Sequence, residues 1–283
     1  MATFFNQATL SYSGGTVNSN ITTGEILEVL AATKTAEYDR YAPGSDITYA
    51  VNIVNSGTIA FTGLTVTDDL GAYAFGTTTL QPLDYVDGSI RYFIDGVLQP
   101  APTVTAGPPL VISGINVPAS GTATILYAAR ANTFAPQDVE GTIVNTVTIS
   151  GGGITPLTAT ETVSAEAEPR LTITKSVSPT TVTENGQLTY PFVIQHTGNV
   201  LADATDAVVV TDTFDPILTG LTVTYNGTPW PSPASYTYNE ATGLFSTAAG
   251  SITVPAATYT QDPTTGAWVV DPGVAVLTVT GTI

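Results

Sequence analysis

The chain contains only two lysines, Lys34 and Lys175, and an internal repeat sets them at equivalent places. Each precedes an aspartate that closes a matching segment: Asp68 ends LTVTD and Asp212 lies in VVVTDT, 34 and 37 residues downstream. Asparagines complete two sets, Asn145 in VNTVTIS and Asn6 in FNQATLSY. In a strand, side chains at i, i+2 and i+4 share a face. Lys175 then lies with Leu171 and Ile173, Asp68 with Leu64 and Val66, and Asp212 with Val208 and Val210. Asn145 shares a face with Ile143, Val147 and Ile149, and Asn6 with Phe4, Ala8, Leu10 and Tyr12. Each repeat is thus expected to gather a lysine, an aspartate and an asparagine in its interior.

Burying an ionised pair costs several kcal/mol per ion unless the charges are paired or removed. Burial lowers a lysine's proton affinity and raises an aspartate's. A neutral amine can then attack the asparagine carboxamide while a protonated aspartate polarises its carbonyl; ammonia leaves and a Lys–Asn isopeptide bond remains. A rigid, dry core supplies the proximity. Two plainer readings stand beside this one. The trio forms a buried Lys–Asp salt bridge hydrogen-bonded to asparagine, or the lysines snorkel to the surface.

The elements that must position these residues are strands. Of 283 residues 43% are hydrophobic and only 10% charged, against about 25% charged in typical globular chains. The polar surface is therefore largely Thr, Ser, Asn and Gly, a composition that favours strands and tight turns. The formal net charge of −17, with six basic residues, argues against nucleic acid or an anionic membrane as partner. There is no cysteine, so neither disulfides nor thiolate metal sites brace the fold. No run approaches the ~20 apolar residues of a membrane helix, and no signal peptide is visible at the start.

The repeat organises the chain. ITYAVNIVNSG at 47–57 matches LTYPFVIQHTG at 188–198, IRYFIDG at 90–96 resembles LTVTYNG at 221–227, and INVPA at 115–119 resembles ITVPA at 252–256. The first repeat continues into a hairpin, VNTVTIS–GGG–TATETVSA, whereas the second reaches VLTVTGTI at the strand before such a hairpin. Residues 1–30 resemble that closing hairpin: Asn6 precedes Lys34 by 28 positions and Asn145 precedes Lys175 by 30. The expected organisation is a donor hairpin at 1–30, one repeat at 31–168 and a second at 169–283 that lacks its closing strands. An open sheet edge must be covered or paired. Donation of residues 1–30 to the next copy would give a head-to-tail filament; folding back onto the same chain would give a closed monomer.

The TKTAE and TKSVSP starts, the VTD strands and the NTVT segment resemble the domain-of-unknown-function-11 repeat of bacterial surface proteins. The Lys/Asp/Asn trio is similar to that of isopeptide-forming immunoglobulin-like domains in Gram-positive pilins and adhesins. The resemblance implies an all-β fold of two tandem immunoglobulin-like sandwiches, extracellular display on a bacterial cell or spore surface, and cross-links by Lys34, Asp68 and Asn145. In the second repeat Lys175 and Asp212 would meet Asn6 of the neighbouring subunit.

Other chemistry has little support. His196 in QHTG occupies the place of Asn55 and reads as a turn residue; without another His or any Cys, no zinc site or triad forms. The acids Asp68–Asp69, Asp203–Asp206 and Asp212–Asp215 lack calcium-loop spacing and read as solvated loop acids. Trp230 and Trp268 are read as packing between domains. The expectation is a non-enzymatic, cofactor-free fibre subunit whose partner is itself, with a monomeric adhesin or surface-layer stalk module as the alternative.

Overall fold

The structure, a computed structural model, describes residues 2–283 apart from the side chains of Ala2 and Ile26; Met1, first residue of the expected donor segment, lies outside the described residues. The described chain is all-β, its one helical element a single 3-10 turn at Ala204–Asp206. The principal strands in chain order begin with β1 (Ala2–Asn6), β2 (Thr9–Tyr12), β3 (Gly15–Asn18), β4 (Thr22–Ile26) and β5 (Leu30–Ala36). Next come β6 (Asp46–Asn55), β7 (Phe61–Asp68), β8 (Arg91–Ile94), β9 (Leu110–Val117), β10 (Thr122–Ala131), β11 (Thr142–Ser150) and β12 (Leu157–Ala165). Then follow β13 (Leu171–Lys175), β14 (Gln187–His196), β15 (Thr211–Thr213), β16 (Thr219–Tyr225), β17 (Leu244–Thr247), β18 (Thr258–Gln261), β19 (Trp268–Asp271) and β20 (Gly273–Thr282).

Period-2 alternation builds the sheets. Along β6 the residues Ile47, Tyr49, Val51 and Ile53 are buried while their neighbours are not, the pattern of a strand with one face on a core. One sheet runs β5–β6–β10–β8, and the facing sheet runs β9–β7–β11–β12. Both contribute to a single apolar cluster that includes Tyr49, Val51, Leu64, Val66, Ile112, Ile125 and Ile149. The first order is the A-B-E-D order of an immunoglobulin sandwich, with β7, β11 and β12 in the places of C, F and G. Strand β9 flanks C but comes after D in the chain.

Residues after 170 repeat half of this plan. The order β13–β14–β20–β16 is again A-B-E-D, and β15 pairs with β17 as β7 pairs with β9. A second apolar cluster, with Phe192, Phe214, Phe245, Leu277 and Val279, lies between these sheets. No described strand pairs with the other edge of β15, where β11 pairs with β7 in the first unit.

Residues 2–26 form a separate hairpin, β1 with β4 and β2 with β3. Its apolar side chains Phe4, Phe5, Leu10, Tyr12, Val17 and Ile21 are all more than half exposed. Asn6 pairs with Thr22 and Asn145 with Glu161, so each asparagine opposes the residue 16 positions on. Phe4 and Gly24 pair just as Ile143 and Val163 do.

The two units meet through a hairpin absent from the first repeat. Strands β18 and β19 pair, and Trp268 N donates to Thr133 O at 2.8 Å while Gln261 Nε2 donates to Tyr73 Oη at 2.9 Å. A side chain at Gly266 would run into Leu80 and Phe75. Trp268 thus sits between the units, whereas Trp230 stacks on Tyr225 inside the second, centroids 4.6 Å apart. Replacing Gln261–Trp268 with a short turn is expected to broaden the distance distribution between spin labels at exposed Val97 and Val274; an unchanged width would mean the hairpin does not hold the joint.

Candidate functional site

Lys34, Asp68 and Asn145 come together in the first unit because three strands deliver them to one interior. Lys34 lies on β5, opposite Val51 of β6. Asp68 ends β7 on the facing sheet, where it pairs with both Leu110 and Val147. Asn145 lies on β11, two residues before Val147. All three are buried, and the Lys34 and Asp68 side chains are 0% exposed. Lys34 Nζ donates to Asp68 Oδ2 at 2.8 Å. The amine lies over the Tyr49 ring, 4.7 Å from its centroid, where the ring quadrupole favours a cation. Burial lowers the proton affinity of Lys34 against the attraction of Asp68.

Two tyrosines and a glycine, not among the expected site residues, complete the site. Tyr127 donates its hydroxyl to Asp68 Oδ2, and Tyr127 stacks with Tyr49 at 5.7 Å between centroids. Burial pushes both phenols well up. Asp68 Oδ1 accepts from Leu70 N at 2.7 Å. Asn145 Oδ1 accepts from Gly71 N at 3.2 Å. The expectation was a carbonyl polarised by a protonated aspartate; here the carbonyl oxygen goes to main chain, and Asp68 to Lys34 and Tyr127. The Asn145 side chain lies alongside both tyrosine hydroxyls, yet its Nδ2 and Tyr49 Oη complete no hydrogen bond. A buried donor without a partner is costly, and Nδ2 is the atom that amide exchange would expel.

The second set is not assembled in the same way. Lys175 pairs with Asp212, and its amine lies 4.7 Å from the Tyr190 centroid, matching Lys34 over Tyr49. Their side chains are 38% and 18% exposed, and Ile173, expected inside with Lys175, is exposed as well. The interior placement expected for Lys175 and Asp212 is therefore corrected. These residues flank the free edge of β15, where no described strand lies over them. Asn6 is exposed on the hairpin, paired with Thr22, and makes no hydrogen bond to this pair. Val279 holds the register place of Tyr127: Tyr127 opposes Tyr49, and Val279 opposes Tyr190.

His196 is not a turn residue. It ends β14 fully buried, with Nδ1 hydrogen-bonded to Pro255 O at 2.8 Å, the place where Asn55 Nδ2 bonds Pro118 O at 2.7 Å. Asp203 and Asp206 cap the 3-10 turn reciprocally, and Asp69 Oδ1 accepts from Gly71 N and Thr146 N. Among the described residues no cluster of three His, Cys, Asp or Glu side chains is placed to hold a metal.

No protein-family model matches the chain, and no curated protein matches it. Among solved structures it is similar to the pilus backbone protein RrgB of Streptococcus pneumoniae, at 14% identity and a TM-score of 0.36, over 86% of this chain and 55% of that one. It is also similar to BcpA, the major pilin subunit of Bacillus cereus, at 12% identity and a TM-score of 0.36, over 96% of this chain and 73% of that one. A third is the collagen-binding domain of a Staphylococcus aureus adhesin, at 13% and 0.31, over 47% and 96%. The chain spans about half the length of the pneumococcal structure.

In an Asn145→Ala background, where no bond to Lys34 can form, Asp68→Ala is expected to cost about 3–5 kcal/mol by leaving Lys34 buried without its partner. Lys34→Met with Asp68→Leu should cost less than Asp68→Ala alone, measured by urea unfolding; the reverse order would show that the pair is not buried. In the same background the depressed affinity of Lys34 means the unfolded chain holds more protons than the folded one just below pH 10.5. Stability should therefore rise as pH climbs from neutral toward about 10, before the tyrosines titrate.

Proposed function

We propose that the protein is a structural, non-enzymatic subunit of an extracellular filament that grows head to tail by donation of the hairpin at residues 2–26 to the free edge of β15 in the next copy. The observation that carries this is a match of unfilled parts. The first unit is closed by β11–β12 with an asparagine 16 residues from its cross-strand partner, the second unit has that edge free, and the N-terminal hairpin has the same register. Main-chain pairing along the edge would supply affinity, and Phe4 with Gly24 would take the buried places that Ile143 and Val163 hold in the first unit.

Reach favours donation to another copy. The hairpin is tethered at Leu30, opposite Asn55, while the second unit abuts the other end of β6, near Tyr41 and Thr133. Ten residues of β6 span about 33 Å, and Lys175 lies a further ~13 Å along β13. Residues 27–29 and the stretch from Ala2 to Asn6 reach only about 25 Å. A contact between one end of a molecule and the other end of the next is heterologous and propagates.

Seating Asn6 would bring a carboxamide over the partly exposed Lys175–Asp212 pair, the arrangement already complete at Lys34, Asp68 and Asn145. We read both as sites of autocatalytic isopeptide formation, one within each subunit and one between subunits. Negative-stain microscopy of the purified protein should show filaments, and SDS after boiling should show a ladder. Deleting residues 2–26 should abolish the filaments, whereas Asn6→Ala or Lys175→Ala should keep filaments and lose the ladder. Monodisperse rods from the wild-type protein would defeat the assembly reading and favour an adhesin or stalk module.

A further inference from the structure

The turn after β7 has a geometry that the aspartate–lysine pair does not require. Leu70 and Gly71 both have positive φ, 55° and 72°, and together they reverse the chain beneath β11. A side chain at Gly71 would bring its Cβ within 2.5 Å of Ile143 Cγ2 and 3.0 Å of Pro82 Cγ, so only glycine fits. The turn is pinned from both sides: Asp68 Oδ1 accepts from Leu70 N, and Asp69 Oδ1 accepts from Gly71 N at 2.9 Å and from Thr146 N at 2.9 Å. The result is that the Gly71 N–H is shared between Asp69 Oδ1 and the buried Asn145 Oδ1, the latter at 3.2 Å.

We propose that the Gly71 backbone N–H is the oxyanion donor of the first cross-linking site, and that the second site has no counterpart of it. This rests on reading Lys34 and Asn145 as bond-forming partners. Lys34 passes one proton to the Asp68 carboxylate, and the neutral amine adds to Asn145 Cγ. The C=O electron pair moves onto Oδ1, where a fixed N–H stabilises the charge at no cost of reorganisation. A bond of 3.2 Å in the resting state shortens as that charge develops. The attacking nitrogen's surplus proton goes to Nδ2, the C–Nδ2 bond breaks as C=O re-forms, and ammonia leaves; the proton held by Asp68 leaves with it as ammonium. Nothing is oxidised or reduced. Nδ2 makes no hydrogen bond in the site, so its departure forfeits none, while Gly71 keeps its acceptor in the product.

The second site differs at this point. The positions that match Leu70 and Gly71 are Phe214 and Asp215, and neither has the positive φ that turns the first-unit chain under its asparagine; Phe214 N instead bonds Gly243 O at 2.9 Å. Asp212 also lacks the hydroxyl that Tyr127 gives Asp68, since Val279 stands there. Bond formation is fast within the subunit and slow between subunits.

The test removes this N–H, and with it the contact to Asp69 Oδ1 that also holds the turn, and leaves every side chain. Cell-free translation with glycolic acid in place of Gly71 turns that amide into an ester, and lactic acid in place of Ala72 is the control, because Ala72 N serves only the turn, on Asp69 O at 3.2 Å. Intact mass followed over time reads ammonia loss, and resistance to protease confirms folding. The Gly71 ester should lose ammonia about 100-fold or more slowly than wild type, the scale of deleting one oxyanion donor, and the Ala72 ester at nearly the wild-type rate. Equal slowing of both esters would assign the effect to turn stability, and a Gly71 ester as fast as wild type would remove the donor role; either overturns the proposal alone. Wild-type protein that keeps its full mass would overturn the cross-linking reading along with it. In wild-type filaments, timed from the rise of light scattering, the SDS-resistant ladder should lag the internal bond; simultaneous appearance would overturn the contrast between the sites.

Discussion

The edge of a β-sheet presents a row of main-chain donors and acceptors that have no partner, and a protein must pair them, cover them or blunt them. Strand β15 has such an edge: its residues are Thr211, Asp212 and Thr213, with Val208–Val210 leading in, and no described strand pairs with it. The same side of the sandwich leaves the Lys175 side chain partly open. At the other end of the chain, the hairpin at residues 2–26 is two-stranded and has no apolar cover, a form that is marginal by itself in water. Each part lacks what the other offers, and this shared deficit underlies the assembly reading.

The two lysine sites form a controlled comparison inside one molecule. Both set the amine 4.7 Å from a tyrosine centroid and both pair it with an aspartate from the opposite sheet. What separates them is the F–G hairpin. With β11–β12 in place Lys34 is dry and its proton affinity falls; without it the Lys175 side chain is 38% exposed. Desolvation, which makes an amine nucleophilic, is thus supplied by the same hairpin that carries the asparagine. On the cross-linking reading, a site organised this way would become reactive only when its acceptor arrives.

Much of the fold and of the first site is legible in the sequence because repeats record equivalence. The matches of ITYAVNIVNSG with LTYPFVIQHTG and of the two aspartate strands place Lys34 with Lys175 and Asp68 with Asp212, and strand alternation sends Asp68 and Asn145 inward, as observed. Tyr49 and Tyr190 are visible in that same match as a repeated residue over each lysine. Other features leave no periodic signal. Tyr127 and Val279 are equivalent only through cross-strand register, which sequence alignment does not show. The donor at Gly71 is a backbone atom whose direction depends on two positive φ values. His196 resembles a turn residue because TG follows it, yet it closes the strand inside the core, taking over the carbonyl contact that Asn55 makes in the first unit. The interior placement of Lys175 fails for a different reason: alternation predicts which face a residue occupies, and only the presence of a covering strand makes that face an interior.

The joint between the units shows how the repeat could extend beyond one molecule. Ser56 N and Thr197 N bond the carbonyls of Val29 and Arg170, both at 2.9 Å, so the chain enters each unit in the same manner. An Asn6-bearing hairpin seated in a neighbour would therefore lead through residues 27–29 into the first unit much as β12 leads through residues 166–170 into the second. The likeness ends at the β18–β19 hairpin, which reaches back from the second unit to Thr133 and Tyr73. In the first unit the corresponding connection, from Val117 to Thr122, is a tight turn with nothing to reach back with. A joint inside the subunit thus has a strut that a joint between subunits would lack. On the assembly reading, bending would concentrate at alternate joints, and the covalent link would act where the non-covalent packing is weakest.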